Sequence, residues 1–143
     1  MNRIAPVLLA TILTATAVLA HSGVKDPQVK ARMDGMAVLG AQTKILGQMA
    51  KGATPFDASK AQAAIQVMQT ETKNITALFE SRASDPKSEA KPEIWTKWNA
   101  FTEKTDGLSA ALAKANVTTA ESLSRSVRTI GAACSACHKQ FRE

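Results

Sequence analysis

The last part of the 143-residue sequence carries apolar side chains spaced alternately three and four residues apart. They are Ala120, Leu123, Val127, Ile130, Cys134, Cys137 and Phe141. This spacing places them on one face of an α-helix, which must pack against other apolar surface. Thr118, followed three residues later by Glu121, has the pattern of a capping box and predicts where this helix begins.

Three earlier stretches show the same helical spacing and are separated by residues that break helices. They cover about residues 27–51, 58–81 and 92–114. Asp26 and Asp57 precede the first two stretches and are suited to cap them. Four amphipathic helices joined by mostly short connections predict an all-α protein, an antiparallel four-helix bundle.

The first predicted helix has an apolar side that includes several methionines. Its side chains are Val29, Met33, Met36 and Gly40 on one face, continued by Leu39, Leu46 and Met49. Met33 and Met36 are therefore expected at the interior of the bundle, where methionine commonly fills irregular gaps.

The first 20 residues have the composition of a secretory signal peptide. Arg3 is followed by an apolar run and by small residues before a cleavage site after Ala20. Cleavage after Ala17 and a membrane anchor are the alternatives, but the apolar run is short for a membrane span. The sequence thus predicts a leader over residues 1–20, a mature domain over 21–143 and export to the periplasm without a membrane attachment.

The basic side chains are spread along the chain. The net charge is +6, and no basic patch interleaved with aromatic residues is present in the sequence. Nucleic acid is therefore not an expected partner.

Cys134 and Cys137 are the two cysteines of the sequence, and His138 follows them directly. On a helix these three side chains project to one side. Two thiols at this spacing can form thioether bonds to the two vinyl groups of haem, and the histidine can then bind the iron. The pattern C-x-x-C-H is typical of c-type haem attachment, so the sequence predicts one covalent haem c.

Three other roles for the motif compete with haem attachment: a redox dithiol, a structural zinc site and a disulfide. A redox dithiol normally lies at a helix N-terminus, whereas this motif lies in the last turns of a helix. A structural zinc site needs four ligands, and the remaining candidate is the distant His21. A disulfide would close a very short loop and stabilise little. The contrasting class of protein is a haem-free helical stress or metal-binding bundle.

Three segments resemble the cytochrome c′ family, the class II c-type cytochromes. They are "VKARMDGM" at residues 29–36, "EAKPEIW" at 89–95 and "GAACSACHKQFRE" at 131–143. The resemblance covers essentially the whole mature chain. It implies a four-helix bundle with the haem near the C-terminal helix.

The resemblance also implies roles for residues at the end of the chain. Cys134 and Cys137 would attach the haem, and His138 would be the axial ligand of the iron. Arg142 occupies the position four residues after the histidine, where the family commonly has a basic residue.

Further cofactor-binding roles are implied upstream. Arg32, Met33 and Glu89 would lie near the haem edge or its propionates. In cytochrome c′ the position of Met36 holds a bulky residue that shields the iron without bonding to it. A related low-spin branch uses a methionine there as the sixth ligand, but the preceding Arg32 favours the first arrangement.

The function predicted on this basis is a periplasmic monohaem c-type cytochrome and not an enzyme. Its iron would be five-coordinate and high-spin, and the protein would carry electrons, bind nitric oxide or carbon monoxide, or do both. The alternative is a low-spin cytochrome with Met36 as sixth ligand, acting in electron transfer alone. The redox partner is not identified by the sequence, and the resemblance suggests a homodimer formed through the first helices.

Overall fold

The computed structural model describes residues 23–143 and folds them into α-helices. The helices are α1 (Pro27–Ala50), α2 (Ala58–Phe79), α3 (Glu93–Thr96), α4 (Trp98–Ala113) and α5 (Ala120–Phe141). Within these residues the β-structure is one isolated antiparallel bridge between Ala90 and Arg142. The predicted leader over residues 1–20 lies outside the described residues, as does His21.

The predicted caps of the first two helices are confirmed. The side chain of Asp26 accepts hydrogen bonds from the backbone N–H groups of Gln28 and Val29, at 2.8 and 2.9 Å. The side chain of Asp57 accepts one from the N–H of Lys60 at 3.0 Å. These bonds satisfy N–H groups that have no partner inside the helix.

The predicted start of the last helix is wrong by one residue. Thr119 caps α5, because its hydroxyl accepts from the Ser122 N–H while the Ser122 hydroxyl accepts from the Thr119 N–H. The hydroxyl of Thr118 instead donates to the side-chain oxygen of Asn116 at 2.8 Å. A serine thus takes the role that the sequence pattern assigned to Glu121.

The third predicted helix is interrupted at Lys97. This residue has φ −125° and ψ 45°, so the single helix predicted over residues 92–114 is wrong. Helical hydrogen bonds still reach Lys97 from both sides, because its N–H donates to the Glu93 carbonyl and its carbonyl accepts from Phe101. The apolar spacing continues through the break and did not indicate it.

The helices form an antiparallel ring in which α3 and α4 together take the third place. The Gln69 amide of α2 donates to the Leu112 carbonyl of α4 at 3.2 Å. The Ser124 hydroxyl of α5 donates to the Ala50 carbonyl of α1, also at 3.2 Å. Helix α1 packs mainly on α2 and α5, and α4 packs mainly on the same two helices. The predicted four-helix bundle is confirmed.

The buried face of α1 differs from the predicted one. Gly40 is exposed, whereas Arg32 and Gly35 are buried. Gly35 lies against α2 so closely that a Cβ atom there would approach the Glu71 carboxylate to 2.6 Å. The α1 face is therefore rotated toward α2, and Met33 and Met36 are half-buried at its edge.

The two ends of the bundle are filled differently. At the closed end, where α1 ends and α5 begins, the interior is filled by apolar side chains of the protein itself. They are Leu46, Met49, Ala61, Ile65, Leu112, Val117 and Leu123, each at most 5% exposed. At the open end, several large apolar or sulfur-containing side chains pack on the core yet remain half-exposed. They are Met36, Leu78, Trp95, Trp98, Cys134 and Cys137.

Among residues 23–143, none of the helices combines the length and the apolar character that crossing a bilayer requires.

Candidate functional site

The two cysteines lie at the open end, in the last turns of α5. Both are free thiols, half-buried and packed against the apolar core. Burial raises the pKa of the Cys134 thiol, and burial together with the neighbouring Cys134 raises the pKa of Cys137, against the opposing charge of Lys104. Both cysteines are therefore neutral thiols at neutral pH.

These properties bear on the other roles considered for the motif. A dithiol that exchanges disulfides needs a lowered thiol pKa, and here the shift has the opposite sign. Among the described residues, no three histidine, cysteine or acidic side chains are grouped so that they could hold a metal ion. A structural zinc site, the alternative to haem, would also require His21, which lies outside the described part of the chain.

His138 follows in the same turn, four residues after Cys134 and therefore on the same face of α5, and its side chain is exposed near the end of the helix. Partial burial lowers its pKa, the charge of Arg142 lowers it further, and Glu89 acts in the opposite direction. The neutral imidazole is the form that binds a metal ion. The pKa shift thus favours the form that an axial ligand requires.

Met36 of α1 faces the cysteines of the neighbouring helix α5. Thr43 of α1 lines a small pocket together with Val127 and Ile130 of α5, so these positions face each other. Met36 lies seven residues before Thr43 and therefore on the same face of α1. Because α1 and α5 are antiparallel, moving two turns back along α1 from Thr43 to Met36 corresponds to moving two turns forward along α5.

The positions that face Met36 are consequently Cys134 and Cys137, seven residues after Val127 and Ile130. Met36 itself is half-buried and packs against the core. The structure therefore brings the predicted distal residue and the predicted attachment residues together at the open end. Met33, three residues before Met36, is half-buried on the same helix, and its contact with haem remains a prediction.

Arg32 is 2% exposed, and its guanidinium lies at the C-terminal end of α2. Its Nε donates to the Leu78 carbonyl at 2.9 Å, Nη1 donates to the Ala83 carbonyl at 3.0 Å, and Nη2 donates to the Ser81 carbonyl. The guanidinium also lies over the ring of Phe79, 5.1 Å from its centroid. These bonds hold the end of α2, and the predicted propionate contact is not tested by them.

Trp95 covers Arg32 from a second side. Its ring centroid is 5.2 Å from the guanidinium, and its Nε1–H donates to the Phe79 carbonyl at 2.7 Å. Arg32 therefore joins α1, the end of α2 and α3 in one cluster at the open end.

Asp85 is a buried residue of the connector between α2 and α3 that the sequence did not single out. Its carboxylate accepts backbone hydrogen bonds from Lys87, Lys25 and Asp26, at 2.8 to 3.1 Å. These bonds lower the pKa of Asp85, with the bond from Lys87 contributing most. The connector is thereby fixed to the residues that precede α1. The signal available in the sequence was the turn-forming pair Asp85-Pro86.

Glu89 and Arg142 meet beside His138. Their side chains form an ion pair, and the Lys91 N–H donates to the Phe141 carbonyl at 3.0 Å. The Glu143 N–H donates to the Glu89 carbonyl at 2.9 Å. The structure thus brings together two predicted site residues that are far apart in the sequence.

Thr72 is a further buried polar residue, which the sequence pattern places in the apolar stripe of the second helix. It is 3% exposed. Among the described residues, its hydroxyl is the one buried side-chain polar atom that no protein group hydrogen-bonds. Native proteins rarely leave such an atom unpaired.

The open end has the chemistry that a covalent haem needs. It offers two neutral thiols on one helix, an imidazole favoured in its neutral form, and half-exposed apolar side chains that a large flat apolar group would cover. The residues present therefore fit haem c, and a helical bundle with this motif is the arrangement of a class of c-type cytochromes.

Comparisons with known proteins agree with this class. The profile of the family described as "Cytochrome C'" matches residues 27–142, and the chain belongs to this family. Cytochrome c-556 of Rhodopseudomonas palustris is 29% identical over 141 residues, covering 94% of this chain and 92% of that protein.

Solved structures of the family have the same fold. Cytochrome c′ from Rhodobacter sphaeroides matches with a TM-score of 0.74 and 29% identity, over 80% of this chain and 94% of that one. A nitric oxide complex of a cytochrome c′ variant from Alcaligenes xylosoxidans matches with a TM-score of 0.73 and 24% identity, over 81% and 94%. The protein is a monohaem c-type cytochrome with covalent haem c.

Proposed function

We propose that this cytochrome works in the periplasm with a five-coordinate, high-spin iron, carrying electrons and binding a diatomic gas rather than turning over a substrate. The observation that carries the proposal is the position of Met36. Its position on α1 faces the cysteines of the neighbouring helix α5, by the register of Thr43 with Val127 and Ile130, and its side chain packs on the apolar core. A side chain held by the core shields the space opposite His138.

Four residues would hold and enclose the cofactor. The thiols of Cys134 and Cys137 would hold it through thioether bonds, each adding its S–H across a vinyl group without a net change of oxidation state. The His138 imidazole would bind the iron, and the Met36 side chain would keep water away from it. The bound haem supplies an iron that changes between two oxidation states and accepts a small ligand. An enclosed apolar surrounding is one of the factors that set its potential.

Two observations support gas binding: a ligand bound to a protein of the same fold and the apolar character of the open end. The Alcaligenes xylosoxidans protein of the same fold is described as a nitric oxide complex. Half-buried apolar side chains such as Leu78 and Met36 pack on the core at the open end, and an uncharged diatomic molecule would lie among them at little desolvation cost.

A second candidate is the low-spin cytochrome in which Met36 is the sixth ligand. The same position supports it, because Met36 faces the end of α5 that carries His138. A methionine and a histidine on opposite sides raise the potential of a haem and favour electron transfer.

Absorption spectra of the purified protein distinguish the two. We expect ferric and ferrous spectra typical of high-spin iron, changed by nitric oxide. Met36→Leu should leave the spin state unchanged, since leucine also shields without bonding. The control is Met33→Leu, one turn away and also half-buried.

A low-spin ferric spectrum with a thioether-to-iron charge-transfer band, lost in Met36→Leu and kept in Met33→Leu, would establish the second candidate instead. The absence of covalent haem in a pyridine haemochrome assay, after export with an intact maturation system, would contradict both.

We also propose that the protein is exported to the periplasm and that it forms a homodimer. The leader predicted over residues 1–20 supports export, and cell fractionation with sequencing of the mature N-terminus tests it. Exposed apolar side chains on α1 and α2, namely Val38, Ile45 and Val67, support a homodimer through these helices. Analytical ultracentrifugation of the protein and of Ile45→Lys would show whether the dimer forms there.

A further inference from the structure

Thr72 has a polar group in a place where the protein offers it no partner. The residue lies on α2 between Met68 and Ile75, on the buried stripe of that helix. Threonine in a helix commonly donates to the carbonyl four residues earlier, as Thr70 does to Gln66. Thr72 makes no such bond.

The level of Thr72 along the bundle follows from the aromatic contacts. Phe79 of α2 and Phe141 of α5 both pack on the ring of Phe101, with centroids 5.2 and 5.4 Å away. Helices α2 and α5 run in the same direction. Thr72 and Cys134 each lie seven residues, or two turns, before these phenylalanines, so they are at the same level.

The direction in which Thr72 points follows from its neighbours on α2. Glu71 and Leu78 approach Gly35 on the side of α1. Thr76 contacts Thr105, and Gln69 bonds to Leu112, on the side of α4. Successive residues of a helix are rotated by 100°, which places Thr72 between the face directed at α1 and the face directed at α4. Its side chain therefore points into the middle of the bundle, toward α5.

Helix α2 lies diagonally opposite α5, which carries His138. A group held between them has the imidazole on one side and the faces of α1 and α2 on the other. Thr72 is thus on the same side as Met36, within one helical turn of its level.

We propose that the Thr72 hydroxyl donates a hydrogen bond to the small diatomic ligand that binds the iron opposite His138. The proposal rests on the five-coordinate iron proposed above. Among the described residues, this hydroxyl is the buried side-chain polar atom without a protein partner, so it is available to distinguish one gas ligand from another. It stabilises a ligand whose outer atom bears partial negative charge.

Carbon monoxide bound to the ferrous holoprotein is the probe. Thr72→Val removes the hydroxyl and keeps the shape, whereas Thr72→Ser keeps the hydroxyl. We expect Thr72→Val to move the CO stretching frequency upward and to speed CO dissociation about 2- to 10-fold. Thr72→Ser should stay near the wild type in both measurements.

Thr105→Val is the matched control. Thr105 is also buried, at 5% exposure, but its hydroxyl donates to the Thr102 carbonyl within α4 at 2.8 Å. Its loss should leave the CO frequency and the dissociation rate unchanged.

A second measurement does not depend on rates. Saturating CO should raise the thermal unfolding midpoint of the wild type more than that of Thr72→Val, because only the wild type gains the hydrogen bond. Without CO, Thr72→Val should be as stable as the wild type or more so, since it removes an unpaired buried hydroxyl.

The outcomes separate this inference from the proposed function. A wild type that binds CO, with a frequency and a dissociation rate unchanged in Thr72→Val, overturns the role of Thr72 alone. A wild type that binds no CO overturns the five-coordinate iron and, with it, the role of Thr72.

Discussion

The closed end and the open end of the bundle are built from the same helices but differ in how their interiors are filled. At the closed end, apolar side chains from all four sides meet and fill the interior, as Leu112 and Leu123 do at 1% and 0% exposure. At the open end, apolar side chains remain half-exposed and the buried residues include Arg32, Thr72 and Thr105.

The difference shows how one bundle divides stability and binding between its ends. Filling by its own side chains stabilises the closed end at about 25 cal/mol per Å² of apolar surface buried. The open end keeps apolar surface uncovered for a bound group and is organised by polar contacts at its rim, through Arg32, Asp85 and Glu89. The following changes test this division, beginning with the largest effect.

Replacing both Cys134 and Cys137 with alanine should abolish covalent attachment, since no other described thiol exists. Haem should then be removed by acidified organic solvent, as measured by mass spectrometry and a haemochrome assay. Amide exchange should increase at the open end and remain slow at the closed end. Ser135→Ala, between the two cysteines and exposed, is the control. Haem that stays attached to the double variant would refute the thioether assignment.

Leu112→Ala should destabilise the protein more than Leu78→Ala. Truncating a fully buried leucine costs about 2–5 kcal/mol of unfolding free energy because a cavity remains. Leu78 is half-buried, so truncating it should lower the unfolding free energy by less than half as much. Urea unfolding of the holoprotein measures both. Equal costs would mean that the two ends are packed alike.

Arg32→Met should destabilise the open end, because the carbonyls of Leu78, Ser81 and Ala83 lose their charged donor. We expect a loss of about 1.5–3 kcal/mol in unfolding free energy. Arg128→Met on the exposed face of α5 should change little. A haem spectrum altered in Arg32→Met while stability is unchanged would instead support the predicted propionate contact.

Asp85→Asn should make stability less dependent on pH. Hydrogen bonds from backbone N–H groups lower the pKa of Asp85 in the folded chain. The carboxylate therefore stabilises the fold above its ordinary pKa of about 4, and this contribution is lost as the pH falls through the lower folded value.

The wild type should accordingly be more stable than Asp85→Asn at pH 7, and the gap should close in acid. Unfolding midpoints from pH 7 to pH 2 test this expectation. A difference in unfolding midpoint that persists at the lowest pH would show that the substitution destabilises the connector by something other than the loss of the carboxylate charge.

Glu89→Gln should have the smallest effect. The Glu89 and Arg142 side chains are 56% and 52% exposed, and exposed ion pairs contribute about 0.2–1 kcal/mol. The effect should disappear at high salt, where exposed charges are screened. Glu121→Gln, which breaks the exposed pair with Arg125, should behave similarly. A loss that salt does not reduce would indicate that Glu89 acts through the haem.

The sequence predicted the parts of the fold that depend on periodic burial and on local caps. The stripe through Cys134 and Cys137 and the caps at Asp26 and Asp57 belong to this group. Each depends on side chains within one helix, so neighbouring residues carry the whole signal.

The features that the sequence did not predict depend on contacts between helices. Arg32 is buried because carbonyls of α2 and the rings of Phe79 and Trp95 surround it, and a charged residue in an apolar pattern gives no sign of this. Gly35 is buried because α2 approaches it closely. The break at Lys97 changes one backbone conformation and leaves the apolar spacing intact.

Both thiols of the open end belong to a single helix, with consequences for the unfolded chain. A cross-link between distant elements restricts the denatured ensemble, but two bonds one turn apart restrict almost none of it. They still keep the attached group beside its site at a high effective concentration when the bundle opens. Refolding is then a first-order process, and the stability of the bundle does not fall on dilution as it would for a group held by reversible binding alone.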